Sequence, residues 1–201
     1  MRNEFNLGVQ ADAMGYSYVS VYEEALPHTF CENMIEKFEA NENQVQVKTD
    51  YKDLRHFTEI NISQHGMLSD HEAMVRAAIS SAKSYASEQQ IKTDIQWPQQ
   101  YGYEEFRMKR YLPNGKDEFR LHTDVGNYGS ARRFLAFLWY LNTVEEGGQT
   151  CFGHKQDMPD VTIPAVQGRL LIFPPLWTHP HWGCKVVNGP KYIISGYLHY
   201  I

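Results

Sequence analysis

His122 and Asp124, in the run EFRLHTD, are the pair in this chain best placed to do metal chemistry. Successive side chains on a strand alternate between faces, so residues two apart leave the same face and can reach one ion together. One imidazole and one carboxylate are two of the three ligands of a two-histidine, one-carboxylate facial site, the donor set that leaves open positions on Fe(II) for a co-substrate and oxygen. By itself H-x-D is a weak signal, because such a pair more often decorates a surface strand. A third ligand has to be a histidine from a distant strand. The stretch WTHPHWG, residues 177–183, offers two, His179 and His181, on either side of Pro180. The proline makes ideal strand alternation unreliable there, so residue types alone leave the choice open.

The elements that must position these residues fall into two halves. After a polar start, YSYVSVY (16–22) has strand composition, and LPHTFCENMIEKFEAN reads as a helix because Phe30, Met34, Ile35 and Phe38 recur at helical spacing. HFTEINIS (56–63) alternates like a strand, and DHEAMVRAAISSAKSYASEQ (70–89) reads as a second helix beginning near Asp70. From residue 100 onward, short runs rich in β-branched and aromatic residues are divided by turn signals: YEEFRMKRY, EFRLHTD, RRFLAFLWYLN, DVTIPAVQ, GRLLIFPP and KYIISGYLHY. Strands this close leave no room for crossover helices, which predicts an antiparallel sandwich or barrel with a pocket inside and the helices packed on its outside. Gly147 and Gly148 read as a turn requiring unusual backbone angles, not as a phosphate loop, since neither Lys-Ser nor a helix follows.

Composition narrows the class further. With 201 residues, 42% apolar and 21% charged, the chain suits one soluble globular domain spanning 1–201, with about 1–100 as support and about 101–201 as core. A net charge of −5 supplies no general basic field, so neither nucleic acid nor a membrane surface is expected as a partner. The start MRNEFNLGVQADAMG lacks the apolar segment of a secretory signal, and no later apolar run approaches the ~20 residues of a spanning helix, so the expected location is cytoplasmic. Cys31, Cys151 and Cys184, odd in number and widely spaced, fit neither a disulfide framework nor a paired-cysteine zinc site and are expected as reduced thiols.

The segments KRYLPNGKDEFRLHTD, RRFLAFLWYLNTVEEGGQTCF and GRLLIFPPLWTHPHWGCKVVNGPKYIISGYL resemble, in order and interval, the catalytic half of the 2-oxoglutarate- and Fe(II)-dependent oxygenases of the prolyl 4-hydroxylase-like branch. The resemblance runs from about Glu104 to the C-terminus. It implies a mainly β fold, a double-stranded β-helix (jelly-roll, cupin-like) core with the N-terminal helices packed on one sheet. It also implies Fe(II) as cofactor, 2-oxoglutarate and O2 as co-substrates, and it admits ascorbate as an accessory reductant.

Residue by residue, His122 and Asp124 match the H-x-D ligands. The distal ligand of the family is followed by a glycine two residues on and by a basic residue ten on, and His181, Gly183 and Lys191 fit that spacing where His179 does not. His181 is therefore the implied third ligand and His179 its neighbour. Lys191 matches the basic residue that takes the far carboxylate of 2-oxoglutarate, and a lysine on the inner face of a buried strand needs such an anion to offset its desolvation. Tyr111 and Thr150 match hydroxyls lining the co-substrate pocket. Tyr140 holds a related position but serves equally as a core residue with a satisfied hydroxyl. Two departures from the pattern are Gln149, where an acidic residue is more frequent, and Tyr197, where a tryptophan is common.

The chemistry implied is oxidative decarboxylation of 2-oxoglutarate to succinate and carbon dioxide with hydroxylation of an unactivated C–H bond. The acceptor implied is a prolyl residue in a peptide or protein, approaching near the loops 113–118 and 153–160, with Arg133 as a candidate substrate contact. Fold and iron site do not select a substrate. A hydroxylase of a free amino acid or other small molecule, or a non-catalytic metal-binding β-sandwich, stand as alternatives; an intact Lys191 argues against the second.

Overall fold

The computed structural model describes residues 10–12, 17–49, 54–65 and 67–201. Most of the polar start, and the first residue of the strand expected over 16–22, lie outside them. The elements in chain order are β1 (Gln10–Asp12), β2 (Ser20–Tyr22), α1 (His28–Glu39), β3 (Val45–Lys48), β4 (Arg55–Asn61), α2 (Leu68–Glu88), β5 (Tyr101–Tyr103), β6 (Arg107–Tyr111), β7 (Glu118–His122), β8 (Arg133–Tyr140), β9 (Thr150–Phe152), β10 (Val161–Ile163), β11 (Leu170–Phe173), β12 (His181–Gly183) and β13 (Lys191–Tyr200). Both helices form where their periodicity predicts, each within two or three residues of the expected ends. The run YEEFRMKRY is broken into β5 and β6 by the non-strand residues 104–106.

All thirteen described strands join one antiparallel sheet in the order β1-β2-β11-β8-β13-β6-β4-β7-β12-β9-β10, with β3 on β4 and β5 on the end of β13. The sheet curls so that its two ends face each other. Phe152 on β9 meets Phe173 on β11 edge to face at 5.1 Å, and His181 on β12 meets the same ring at 4.8 Å. This is the expected mainly β, jelly-roll architecture.

Alternation along the central strands explains their unbroken apolar runs. On β8, Leu135, Phe137 and Trp139 enter one core with Leu170, Ile172, Ile194 and Leu198, while Ala136 and Tyr140 turn to a second core with Leu171, Phe173 and Ile193. A strand buried on both faces shows no polar alternation. The first core is closed by the helices, through Cys31, Met34 and Phe38 of α1 and Met74, Ala77, Ala78, Ala82 and Tyr85 of α2, spaced at three and four as one helical face requires. Glu39 at the end of α1 accepts from Arg110 on β6 and from Tyr192 on β13, fixing the helix to the sheet. The second core surrounds the site. Among the described residues no helix is long and apolar enough to cross a membrane.

The turn before β9 requires glycine. Gly147 and Gly148 have φ of +79° and +71°, and a Cβ on Gly147 would overlap the Lys185 carbonyl oxygen. Gly147→Ala is expected to destabilise the protein by about 1–3 kcal/mol, from the left-handed backbone and the overlap together. Urea unfolding of the variant beside the wild type measures it.

Candidate metal centre

β7 and β12 lie side by side with His122 directly opposite His181, and the register slips between His181 and Gly183. Asp124 follows the end of β7 on the same side as His122. The three side chains converge: one donor atom from each lies within 4.8 Å of the others. His122 Nε2 is 3.5 Å from Asp124 Oδ1, and His181 Nε2 is 3.6 Å from Oδ2.

The backbone settles which nitrogen faces inward. His122 Nδ1 donates to the Arg120 carbonyl at 2.7 Å, and His181 Nδ1 donates to the His179 carbonyl at 3.0 Å. Both imidazoles are thereby held in the Nδ1–H tautomer with the Nε2 lone pairs aimed at one point, as supporting hydrogen bonds to a metal-binding histidine do. His122 Nε2 is buried and has no hydrogen-bond partner, an orphaned acceptor that an ion would satisfy. The Phe119 ring lies flat on the His122 imidazole, 3.5 Å between centroids at 9°, and fixes its plane.

Electrostatics prepare the same donor set. Burial pushes the His181 imidazole down to about 4, helped by His122 and opposed by Asp124, so it is neutral and able to ligate near pH 7. Burial alone would raise the Asp124 carboxyl, but His181, His122 and the Tyr197 hydroxyl hold it well below the usual carboxylate range. Tyr197 donates to Asp124 Oδ1 at 2.9 Å. Two imidazoles and one carboxylate suit a divalent first-row metal with positions to spare.

His179 is separate from this cluster. Its Nε2 donates to the Ser17 carbonyl at 2.9 Å and its Nδ1 pairs with the Thr178 hydroxyl at 2.8 Å, so both ring nitrogens are engaged elsewhere. Its part in the centre is to supply, through its backbone carbonyl, the acceptor that orients His181.

The remaining expected residues divide by position. Tyr111, Thr150 and Lys191 line one small inner pocket with the three donors. Lys191 is 3% exposed, donates to the Gly148 carbonyl, and lies 5.4 Å above the Tyr111 ring and 5.6 Å from the Tyr140 ring. No carboxylate of the described residues pairs with it. Burial pushes its ammonium down to about 8. Tyr140 stands behind this wall and spends its hydroxyl on Thr150 at 2.7 Å, the core role that the sequence left open.

Arg133 lies outside the inner pocket, on the open cleft that leads to it. Its guanidinium grips Glu104 with two bonds of 2.8 Å, donates to the Asp124 carbonyl and covers the Tyr197 ring at 4.0 Å. The cleft itself, of about 850 Å³, is bounded by residues of β4, β5, β6, β7 and β13 and by the segment 123–133. It does not border the loops 113–118 and 153–160, where substrate approach was expected. The first of these folds back because Asp117 ties it to His56, Asn114 and the Leu112 amide.

Tyr197, noted in the sequence as a departure from the related pattern, lines the site; Lys109, which lines it too, was not singled out. Strand alternation could have found it, since Lys109 is two before Tyr111 on β6.

Residues 106–199, the part of the chain that carries the centre, match the sequence model of the 2OG-Fe(II) oxygenase superfamily. The protein is a 2-oxoglutarate-dependent dioxygenase with a prolyl 4-hydroxylase-like fold, for which the family implies Fe(II), 2-oxoglutarate and O2. A viral collagen prolyl hydroxylase from Paramecium bursaria Chlorella virus-1, solved with 2OG, superposes with a TM-score of 0.60 at 17% identity, covering 95% of this chain and 99% of that one. A Pseudomonas putida prolyl-4-hydroxylase gives 0.64 at 16% identity, covering 94% and 96%. A Trichoplax adhaerens prolyl hydroxylase in complex with a hypoxia-inducible-factor oxygen degradation domain peptide fragment gives 0.63 at 16% identity, covering 92% and 85%. No curated protein sequence matches the chain.

Proposed function

We propose that this dioxygenase hydroxylates an unactivated C–H bond of a prolyl residue in a peptide or protein, using His122, Asp124 and His181 to hold Fe(II) and Lys191 to hold 2-oxoglutarate, with release of succinate and carbon dioxide. The observation that carries the reading is a buried, carboxylate-free lysine sharing one pocket with three convergent donors. When bound, Fe(II) supplies oxygen activation coupled to decarboxylation of the co-substrate.

The chain's own residues do the rest. Lys191 would pair with the far carboxylate of 2-oxoglutarate and so direct its near end toward the ion that His122, Asp124 and His181 would hold. Tyr111 and Thr150 flank that carboxylate with hydroxyls. Tyr197 keeps Asp124 ionised and oriented. Phe119, Phe173, Ile193 and Leu138 line the inner pocket with apolar surface and exclude water from the reacting carbon. The acceptor enters from the open cleft, where Arg133 stands at the approach to Asp124 as a substrate contact. Ascorbate would serve as external reductant and needs no site of its own for this chemistry.

The prolyl acceptor is supported by the three similar structures, all prolyl hydroxylases, one of them holding a peptide. A screen of proline-containing peptides and free amino acids with Fe(II), 2-oxoglutarate and ascorbate tests it, scored by mass spectrometry. A gain of one oxygen on peptidyl proline is expected. Oxidation confined to free amino acids, or to residues other than proline, would overturn the acceptor.

A further inference from the structure

We infer that Lys109 is a second anion-binding lysine of the site, placed to take a carboxylate of the acceptor, so that the preferred substrate carries an acidic group close to the carbon that is oxidised. This inference rests on the proposed function and deepens it.

The placement follows from strand register. Arg107, Lys109 and Tyr111 share the inward face of β6, while Met108 and Arg110 turn outward, Met108 into the helix-side core and Arg110 onto Glu39. On the neighbouring strand, Lys191 is opposite Tyr111 and Ile193 is opposite Lys109. Lys109 is thus one two-residue step, about 7 Å, further toward the cleft than the co-substrate lysine. It lines both the inner pocket and the cleft, which puts it at their junction beside Asp124 and Tyr197.

What marks Lys109 out is the lack of a partner. Of the arginines near it, Arg133 is held by Glu104, Arg107 is held by Glu105 at 3.2 Å and by Glu59 at 3.5 Å, and Arg55 turns to the Thr49 hydroxyl and the Phe119 ring. Glu59 is the cross-strand neighbour of Lys109, yet no ion pair or hydrogen bond to the Lys109 ammonium forms among the described residues. Its ammonium lies over the Phe57 ring, 5.1 Å to the centroid. Burial lowers the ammonium from the ordinary lysine range, with Glu59 and Asp124 acting in the opposite sense. A desolvated, unpaired cation at the mouth of a reaction pocket is completed by an anionic ligand. Lys191 already answers the far carboxylate of the co-substrate from one level deeper, which leaves Lys109 for the molecule that enters from the cleft.

The carboxylate could be an acidic side chain beside the target residue or the free carboxylate of an amino acid, and matched acid and amide probes separate these sources. Anaerobic protein loaded with Fe(II) and 2-oxoglutarate is titrated with capped Ala-Pro-Glu and capped Ala-Pro-Gln, and with proline and prolinamide. Binding is read from the perturbed visible absorption of the loaded centre, and oxidation in air from the mass of the product. At least one acid is expected to bind about tenfold or more tighter than its amide, as a charge-assisted hydrogen bond requires. That preference should collapse in Lys109→Met and Lys109→Gln and largely persist in Lys109→Arg. No acid preference in either pair, or a preference that survives both neutral variants, overturns the inference. A loss of 2-oxoglutarate affinity as the main effect of Lys109→Gln would assign the lysine to the co-substrate and overturn it as well. Failure of the underlying reading is distinguishable, because wild-type protein would then bind no 2-oxoglutarate at all.

Discussion

His181→Ala is expected to abolish iron-dependent turnover of 2-oxoglutarate, whereas His179→Ala should keep a measurable part of it. The two histidines are separated only by Pro180, yet their surroundings differ in kind. His181 aims Nε2 at the Asp124 carboxylate from 3.6 Å with its other nitrogen tied to a carbonyl, so its removal deletes a donor from the centre. The loss should exceed the ~100-fold that removing a mere supporting group of a metal site costs. His179 has both nitrogens engaged with Thr178 and Ser17, and its contribution to the centre is a backbone carbonyl that alanine retains. Its substitution should lower stability by about 1–3 kcal/mol through the buried groups left unpaired. Succinate formation measured with bound iron, beside a thermal melt, separates the two effects.

Lys191→Met should weaken 2-oxoglutarate binding by roughly 30- to 4,000-fold, the 2–5 kcal/mol of truncating one partner of a buried charge pair. The effect belongs in KM for 2-oxoglutarate. A pH dependence follows from the same burial. With the ammonium pushed down to about 8, the cation dominates below that pH and the neutral amine above it. Co-substrate affinity should therefore hold between pH 6 and 7 and fall as pH rises through about 8, approaching about tenfold per unit. A bound carboxylate favours the cation, so the ammonium of the complex titrates at higher pH, and that higher value sets where the fall in affinity ends. Lys191→Arg should remove this basic limb, since guanidinium stays charged throughout. Titrations of 2-oxoglutarate at pH 7 and pH 9 decide it. Equal affinity at both pH values in the wild type would mean that Lys191 does not meet the co-substrate as a cation.

The parts of the site legible in the sequence were those set by short-range spacing. His122 and Asp124 share a face because they are two apart on a strand, and the interval from His181 to Lys191 carries over from a matched motif. Tyr140 was ambiguous because strand alternation gives only the face. Whether its hydroxyl meets the pocket or Thr150 depends on packing across β8 and β9. The position of the cleft was not legible for a similar reason: Asp117 looks like an ordinary turn residue, and its bond to His56 depends on β4 lying beside the loop. The cysteines show the limit plainly. Cys151 and Cys184 are 33 residues apart, but the pairing of β9 with β12 sets their sulfurs 3.3 Å from each other. Register between distant strands is fixed by the whole sheet and is not written in local periodicity.

The role of Tyr197 is a finding of the same type. Where the related pattern favours a tryptophan, the hydroxyl here bonds to Asp124 and the ring carries Arg133, joining the candidate metal ligand to the rim of the cleft. Arg133 in turn is held by Glu104, so its capacity to meet an acceptor is shared with that carboxylate.

The central claim is that Fe(II) and 2-oxoglutarate meet at His122, Asp124 and His181 with Lys191 behind them. Anaerobic absorption spectroscopy of the iron-loaded protein tests it most directly. Addition of 2-oxoglutarate should produce a visible metal-to-ligand charge-transfer band that saturates at one equivalent and is absent in His181→Ala. Folded, iron-loaded wild-type protein that shows no such band at saturating 2-oxoglutarate would contradict the account.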